Sequence, residues 1–221
     1  MKLSTETLNI LKNFSSINQS ILFKRGNVLR TISPQKTVMA IATVQEEFPQ
    51  QAGIYNLPRF LSVCAMHESP DIDFGEKFAT IIEGRSKTKY VYADASMIIT
   101  PPDKDINLPS ADVTVSLSSG DLTKVLKATS VLQLPEVAFV GEGGICYLRA
   151  IDSVNPSADS FGVEVGETSD AFSLIIKTEN LQMMPLDYQV SLSSKGISKF
   201  ENEKVSYFIG IDSKSTYTKG E

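Results

Sequence analysis

Lysines three residues apart on a helix can meet the phosphates of a polyanion without reading anything else about it, and Lys124 and Lys127 have that spacing. At about 100° per residue, Thr123, Lys124, Lys127 and Ser130 share one side of a helix, and Leu122, Val125, Leu126, Thr129 and Leu132 share the other. Lys12 holds a comparable place near the start of the chain. Taken alone, this also describes an ordinary amphipathic helix with solvated lysines. The remaining chemistry-bearing residues offer less. Glu68, Asp71 and Asp73 crowd one loop, but no base or nucleophile stands near them, so solvated acids are expected rather than a carboxylate pair at work. His67 follows a predicted helix without metal-ligand partners and is expected on a surface loop. Cys64 and Cys146 sit in apolar surroundings; buried free thiols are the expected state, a disulfide being unforced. Gly141-Glu142-Gly143-Gly144 lies between two strands rather than before a helix, which points to a hairpin turn and not a phosphate cradle. The chain has no phosphate loop, zinc spacing, nucleophile elbow or dinucleotide fingerprint. No catalytic residue, metal site or cofactor is expected, and the chain does not read as an enzyme.

The lysines are positioned by a repeated plan. Ser119 and Asp121 can satisfy free N–H groups at a helix start, Pro135 stops the helix, and strands Val137–Val140 and Ile145–Leu148 follow around the glycine turn. The N-terminus runs the same way. Ser4 is a predicted cap, and Leu8, Leu11 and Phe14 form an apolar stripe opposite Thr5, Asn9, Lys12, Asn13 and Ser16. A strand Ile21–Lys24, a turn Arg25-Gly26-Asn27 and a strand Val28–Ile32 then form a first hairpin. The two copies lie about 115 residues apart, the size of a small domain. A fainter echo links the short helix Leu57–Met66 with another at Glu179–Met184. Elsewhere the reading is β-rich, with a strand at Thr37–Val44, a polar loop at Gln45–Gln51, a meander from Tyr188 to Ile211, and a frayed tail from Ser213.

Three prolines and a run of charges make 101–110 the best linker in the chain, stiff and extended along a surface. It divides the sequence into domains at 1–100 and 111–221. Neither a signal peptide nor a long apolar run is seen, so neither export nor a membrane span is expected. The net charge of −5 argues against holding nucleic acid by bulk electrostatics.

With these pieces in order, the sequence resembles the sliding clamp, or DNA polymerase processivity factor, of T-even-type bacteriophages. The resemblance runs through Met1-Lys2-Leu3-Ser4, Leu11-Lys12-Asn13-Phe14 and Ile54-Tyr55-Asn56-Leu57. It continues from Asp121-Leu122 to Leu132-Gln133, and from Phe172-Ser173-Leu174-Ile175-Ile176 through Asn180-Leu181-Gln182-Met183. It implies an α+β fold: a duplicated DNA clamp of two similar domains, each with two helices packed on antiparallel sheets. Three chains would close head-to-tail into a ring, helices lining the hole. A closed ring stays on duplex DNA by topology, so weak sequence-independent contacts suffice and an acidic exterior is tolerated.

By residue, the resemblance carries a DNA-facing role onto Lys12 and Lys127; Lys124 faces the same way by periodicity. At Ser130 the family has a further basic residue that this chain lacks. Subunit contacts are expected between Tyr90, Val91 and Tyr92 and the strand containing Phe161 and Val163. Ile106, Leu108 and Pro109 of the linker, with Ile211 as a further position, are expected to receive a partner peptide. The implied partners are duplex DNA, the DNA polymerase, an ATP-driven clamp loader and late-transcription factors, in the cytoplasm of an infected bacterial cell. Two other classes compete: a structural β-rich virion or scaffold protein, which has no reason to put lysines on equivalent helix faces, and an enzyme, which lacks a nucleophile–base pair.

Overall fold

Ser4 and Ser118 each end an extended stretch and open a helix in the computed structural model of the protein, which describes residues 1–104, 106–155 and 157–220. The chain divides into two compact units, Met1–Lys104 and Asp105–Glu221.

The first unit runs α1 (Thr5–Ile17), β1 (Ile21–Phe23), β2 (Gly26–Ile32), β3 (Val38–Phe48), β4 (Ala52–Ile54), α2 (Leu57–Cys64), β5 (Asp71–Phe74), β6 (Phe78–Glu83) and β7 (Ser86–Val91). The Ser4 hydroxyl accepts from the Thr7 N–H at 3.2 Å, satisfying a donor that the first turn cannot. Glu46 of β3 accepts from the Ser4 N–H and the Thr7 hydroxyl, placing a carboxylate at the positive end of α1. α1 buries Ile10, Leu11, Phe14 and Ile17 and packs on α2, β2 and β3. Strands β5, β6 and β7 form an antiparallel sheet in that order, with β7 at the edge.

The expected first hairpin does not form: β1 pairs with β4, and β2 with β3. Lys24 and Arg25 carry the chain between the two ladders, and Gly26 turns it at φ +110°, a backbone angle that side chains disfavour. β3 also runs past Val44 to Phe48. Phe48 is 1% exposed and stacks on Phe23 with ring centroids 4.5 Å apart. Burying a phenylalanine contributes about 1.5–3 kcal/mol, which outweighs the loop character of Gln45, Glu46 and Glu47. His67, expected in a surface loop, has a side chain only 6% exposed, with Nδ1 3.5 Å from the Glu83 carboxylate.

The second unit runs β8 (Val113–Leu117), α3 (Ser119–Leu132), β9 (Glu136–Glu142), β10 (Ile145–Ile151), β11 (Phe161–Glu167), β12 (Ala171–Lys177), β13 (Tyr188–Ser193), β14 (Ile197–Glu201), β15 (Val205–Gly210) and β16 (Thr216–Thr218). β9 and β10 form the expected hairpin; Gly143 and Gly144 at φ +60° and +87° suit its two-residue turn. One antiparallel sheet has the order β11-β10-β9-β12-β16, and α3 packs on its β9, β10 and β11. Strands β8, β13, β14 and β15 pair in a second antiparallel array.

Two expectations fail here. The helix over Glu179–Met184 is a single 3-10 turn, Thr178–Asn180. Beyond it, Leu181 and Met183 are buried while Gln182 is exposed, an alternation that extended chain satisfies and a helix does not. The tail is not frayed over its described residues, 213–220: β16 pairs with β12, and the Tyr217 hydroxyl donates to Asp170 at 2.8 Å; Glu221 lies outside the described residues. Cys64 and Cys146 are free and buried, one in each unit, and desolvation pushes both thiols up to about 11.

Candidate functional site

α3 is fixed at its start by a reciprocal cap, with Ser118 rather than the expected Ser119 as the capping residue. The Ser118 hydroxyl accepts from the Asp121 N–H at 3.1 Å and donates to its carboxylate at 2.7 Å, and Asp187 accepts from the Ser119 N–H at 2.7 Å. The far end stops at Gln133, whose φ of 54° is left-handed. Between these points the helix buries Leu122, Val125 and Thr129 and exposes Thr123, Lys124, Lys127 and Ser130, as the periodicity predicts. Lys127 has no carboxylate partner among the described residues. Lys124 has one, its ammonium lying 3.0 Å from Asp121. The Ser118 hydroxyl, then Lys124, hold the Asp121 carboxyl below the usual carboxylate range. The two lysines therefore present unequal charge.

α1 exposes Lys12 together with Thr5, Asn9 and Ser16, while Asn13 is half-buried. A groove of ≈ 720 Å³ runs beside it, lined by Lys2, Leu8, Lys12, Leu61, Cys64 and His67 among others. Lys2 brings a second cation to the same groove and donates to Ser69 at 3.2 Å. Lys2 precedes the helix and so lies outside any helical periodicity that could mark it. The loop acids do not converge: Asp71 and Asp73 stand exposed on alternate positions of β5, and Glu68 is exposed before it. Among the described residues, no group of three or more His, Cys, Asp or Glu could hold a metal ion.

The expected contact strands are both sheet edges: β7 pairs only with β6, and β11 only with β10, among the described residues. Tyr90 turns inward. Its ring meets Phe60 edge-on with centroids 5.2 Å apart, its hydroxyl donates to the Asn56 carbonyl at 3.0 Å, and burial pushes its pKa up. Val91 is 64% exposed. Tyr92, just past β7, has a hydroxyl that is buried without a partner among the described residues; burial, then the Asp73 charge, push it up to about 12. Phe161 and Val163 are half-buried on β11, registered with Ala150 and Leu148 of β10 on the buried side of the sheet.

The linker is tied down at each end. Lys24 pairs with Asp103, and Arg30 donates to the carbonyls of Pro102, Asp103 and Lys104 at 3.4, 3.3 and 3.5 Å. On the other side, Ser110 bonds Ser193 at 2.7 Å, and Asp112 accepts from the Ser194 N–H at 2.8 Å. The Ile211 N–H donates to the Gly196 carbonyl at 2.9 Å, so the turn between β13 and β14 gathers both the end of the linker and Ile211. Ile106, Leu108 and Ile211 are half-buried rather than open, and Pro109 is exposed.

Among the described residues, no helix is long and apolar enough to cross a membrane. A family model described as "DNA polymerase processivity factor" matches residues 4–100, and one described as "gp45 sliding clamp, C terminal" matches residues 114–213. The sliding clamp of Vibrio phage KVP40 is 31% identical over 220 residues, covering 96% of this chain and 99% of that protein. The sliding clamp of Escherichia phage RB69 is 30% identical over 228 residues, covering 98% and 99%. Among solved structures, A. fulgidus PCNA, in a complex with the C-terminal region of FEN-1, shares the fold with a TM-score of 0.69 at 15% identity, over 96% of this chain and 97% of that one.

Proposed function

The chain belongs to the sliding-clamp family of DNA polymerase processivity factors, and on that footing we propose that it works as a homotrimer closed head-to-tail around duplex DNA. It confers processivity by tethering the replicative polymerase and performs no chemistry of its own. An ATP-dependent loader opens and closes the ring, and the same ring serves late transcription of the viral genome in the infected host cell. Lys12, Lys124 and Lys127 touch phosphates weakly, which lets the ring slide; retention depends on ring opening rather than on contact energy. The connector spanning 101–110 divides the two domains, and Ile106, Leu108, Pro109 and Ile211 receive the partner peptide.

One observation carries this reading. Each unit ends a sheet in an edge strand that is paired on one side only among the described residues, β7 in the first and β11 in the second. Two different edges on one chain make a heterologous contact, and heterologous contacts generate rings when the rotation closes. The test pairs a mass measurement at micromolar concentration with loader-assisted binding to nicked circular and linear DNA. A trimer that persists on circles and runs off linear ends is expected. A chain that stays monomeric at every concentration overturns the reading.

A further inference from the structure

The two edge strands carry matching patterns on both of their faces. On β7, Thr88 and Tyr90 register with the buried Ile81 and Ala79, while Lys87, Lys89 and Val91 occupy the opposite, outer face. On β11, Phe161 and Val163 share the buried face, while Gly162 and Glu164, registered with Arg149 and Tyr147, lie on the outer one. The ladder between β10 and β11 then shifts: Tyr147 is opposite Glu164 but Cys146 is opposite Gly166, which leaves Val165 as the extra residue of a bulge. The bulge returns Glu167, opposite Ile145, to the outer face. Glu164 and Glu167 are three apart in sequence yet occupy successive outer positions, as Lys87 and Lys89 do on β7. Neither Lys87, Glu164 nor Glu167 has an ionic partner among the described residues, and Lys89 rests 4.2 Å from the centroid of the Phe78 ring. The nearby Arg149 is occupied by Glu142.

Within that ring, where β7 of one copy lies antiparallel against β11 of the next, we propose that Lys89 stands opposite Glu164 and Lys87 opposite Glu167. These two ion pairs set the register in which the ring closes. The proposal rests on the ring reading above and gives it a specific geometry. In this register the buried faces match as well, Tyr90 opposite Val163 and Tyr92 opposite Phe161. Val91 meets Gly162, where a Cβ would stand 2.9 Å from the Arg149 side chain and glycine leaves room. A slip by one residue would turn both lysines to the apolar side. A slip of two in one direction sets Val91 against Glu164; in the other it leaves Tyr92 beyond Phe161. Either keeps one ion pair instead of two.

The experiment measures trimer dissociation by sedimentation over a dilution series at low and high salt. The wild-type ring is expected to loosen as salt rises, because exposed pairs are screened. Lys87→Glu with Lys89→Glu, and separately Glu164→Lys with Glu167→Lys, are expected to weaken closure about tenfold or more, two pairs being replaced by like-charge contacts. The four changes together restore the pairs with reversed sign and are expected to return closure to within about threefold of wild type. Independently, Lys89→Cys with Glu164→Cys is expected to form inter-copy disulfides on mild oxidation faster than Lys87→Cys with Glu164→Cys. Charge-reversed variants that close like wild type, a fourfold variant as weak as the double variants, or the reverse order of cross-linking each overturn the register while the ring stands. A wild-type chain that never forms a trimer overturns the ring and the register together.

Discussion

Lys124 lies 3.0 Å from Asp121, one turn earlier on α3, whereas Lys127 has no carboxylate partner among the described residues. The Asp121 carboxylate must be displaced, or its charge shared, before Lys124 can serve a phosphate. Lys127→Ala is therefore expected to lower loading and processive synthesis more than Lys124→Ala does. Each lost phosphate contact removes about 0.9 from the salt slope of duplex binding. Asp121→Asn, which keeps an N–H and an oxygen beside Ser118, is expected to raise affinity by freeing Lys124. Equal effects from the two lysines would remove this ranking; salt-titrated loading assays on nicked circles decide it.

Ring closure is better probed at Val91 than at Tyr90. The Tyr90 ring is held by Phe60 and the Asn56 carbonyl within its own unit, so Tyr90→Ala is expected to lower the melting temperature as well as trimer stability. Val91→Asp changes a side chain that is 64% exposed, and is expected to weaken the trimer with little change in melting. Sedimentation run beside melting curves separates the two. A Val91→Asp ring as tight as wild type would place the contact elsewhere.

The proposed partner site has a similar control. Ile106→Glu with Leu108→Glu is expected to abolish polymerase stimulation while the trimer mass is unchanged, because an apolar peptide loses its anchors. Ile211→Glu is expected to act in the same direction, since the turn that holds Ile211 also holds Ser110. Normal stimulation by the double variant would move the pocket away from the linker.

Glu46 ties β3 to the start of α1, and its contribution depends on pH. Burial pushes its carboxyl up, but the hydrogen bonds from Thr7 and Ser4 outweigh burial and hold it below the usual glutamate range. A depressed folded value means the stabilisation is complete above the unfolded pKa of about 4.3 and is lost as pH falls through the lower folded value. Glu46→Gln is expected to cost about 1.5–3 kcal/mol at neutral pH, the range for a hydrogen bond to a charged group, and progressively less in acid. Chemical denaturation at pH 7 and pH 3 checks this. A cost that does not change with pH would show that the charge is immaterial.

The parts governed by near neighbours were legible in the residues alone. Ser4 as a cap, a second helix start within one residue of Ser118, the polar faces carrying Lys12, Lys124 and Lys127, and the hairpin around Gly143 and Gly144 all follow from contacts within a few positions. The candidate site was legible to the same depth: which lysines face outward, but not that Asp121 engages one of them. What the sequence left undecided was pairing at a distance. Ile21 finds Ile54 rather than a neighbouring strand, Thr216 finds Ser173, and Phe48 is drawn into strand by Phe23. His67 is buried beside Glu83 for the same reason. A strand takes its partner from whichever edge buries its apolar side and satisfies its N–H and C=O groups, and that edge is assembled from residues far along the chain. The same holds for the outer faces of β7 and β11. Lys87, Lys89, Glu164 and Glu167 are ordinary surface charges in the sequence, and only the bulge at Val165 sets the two glutamates on one face at the spacing of the two lysines.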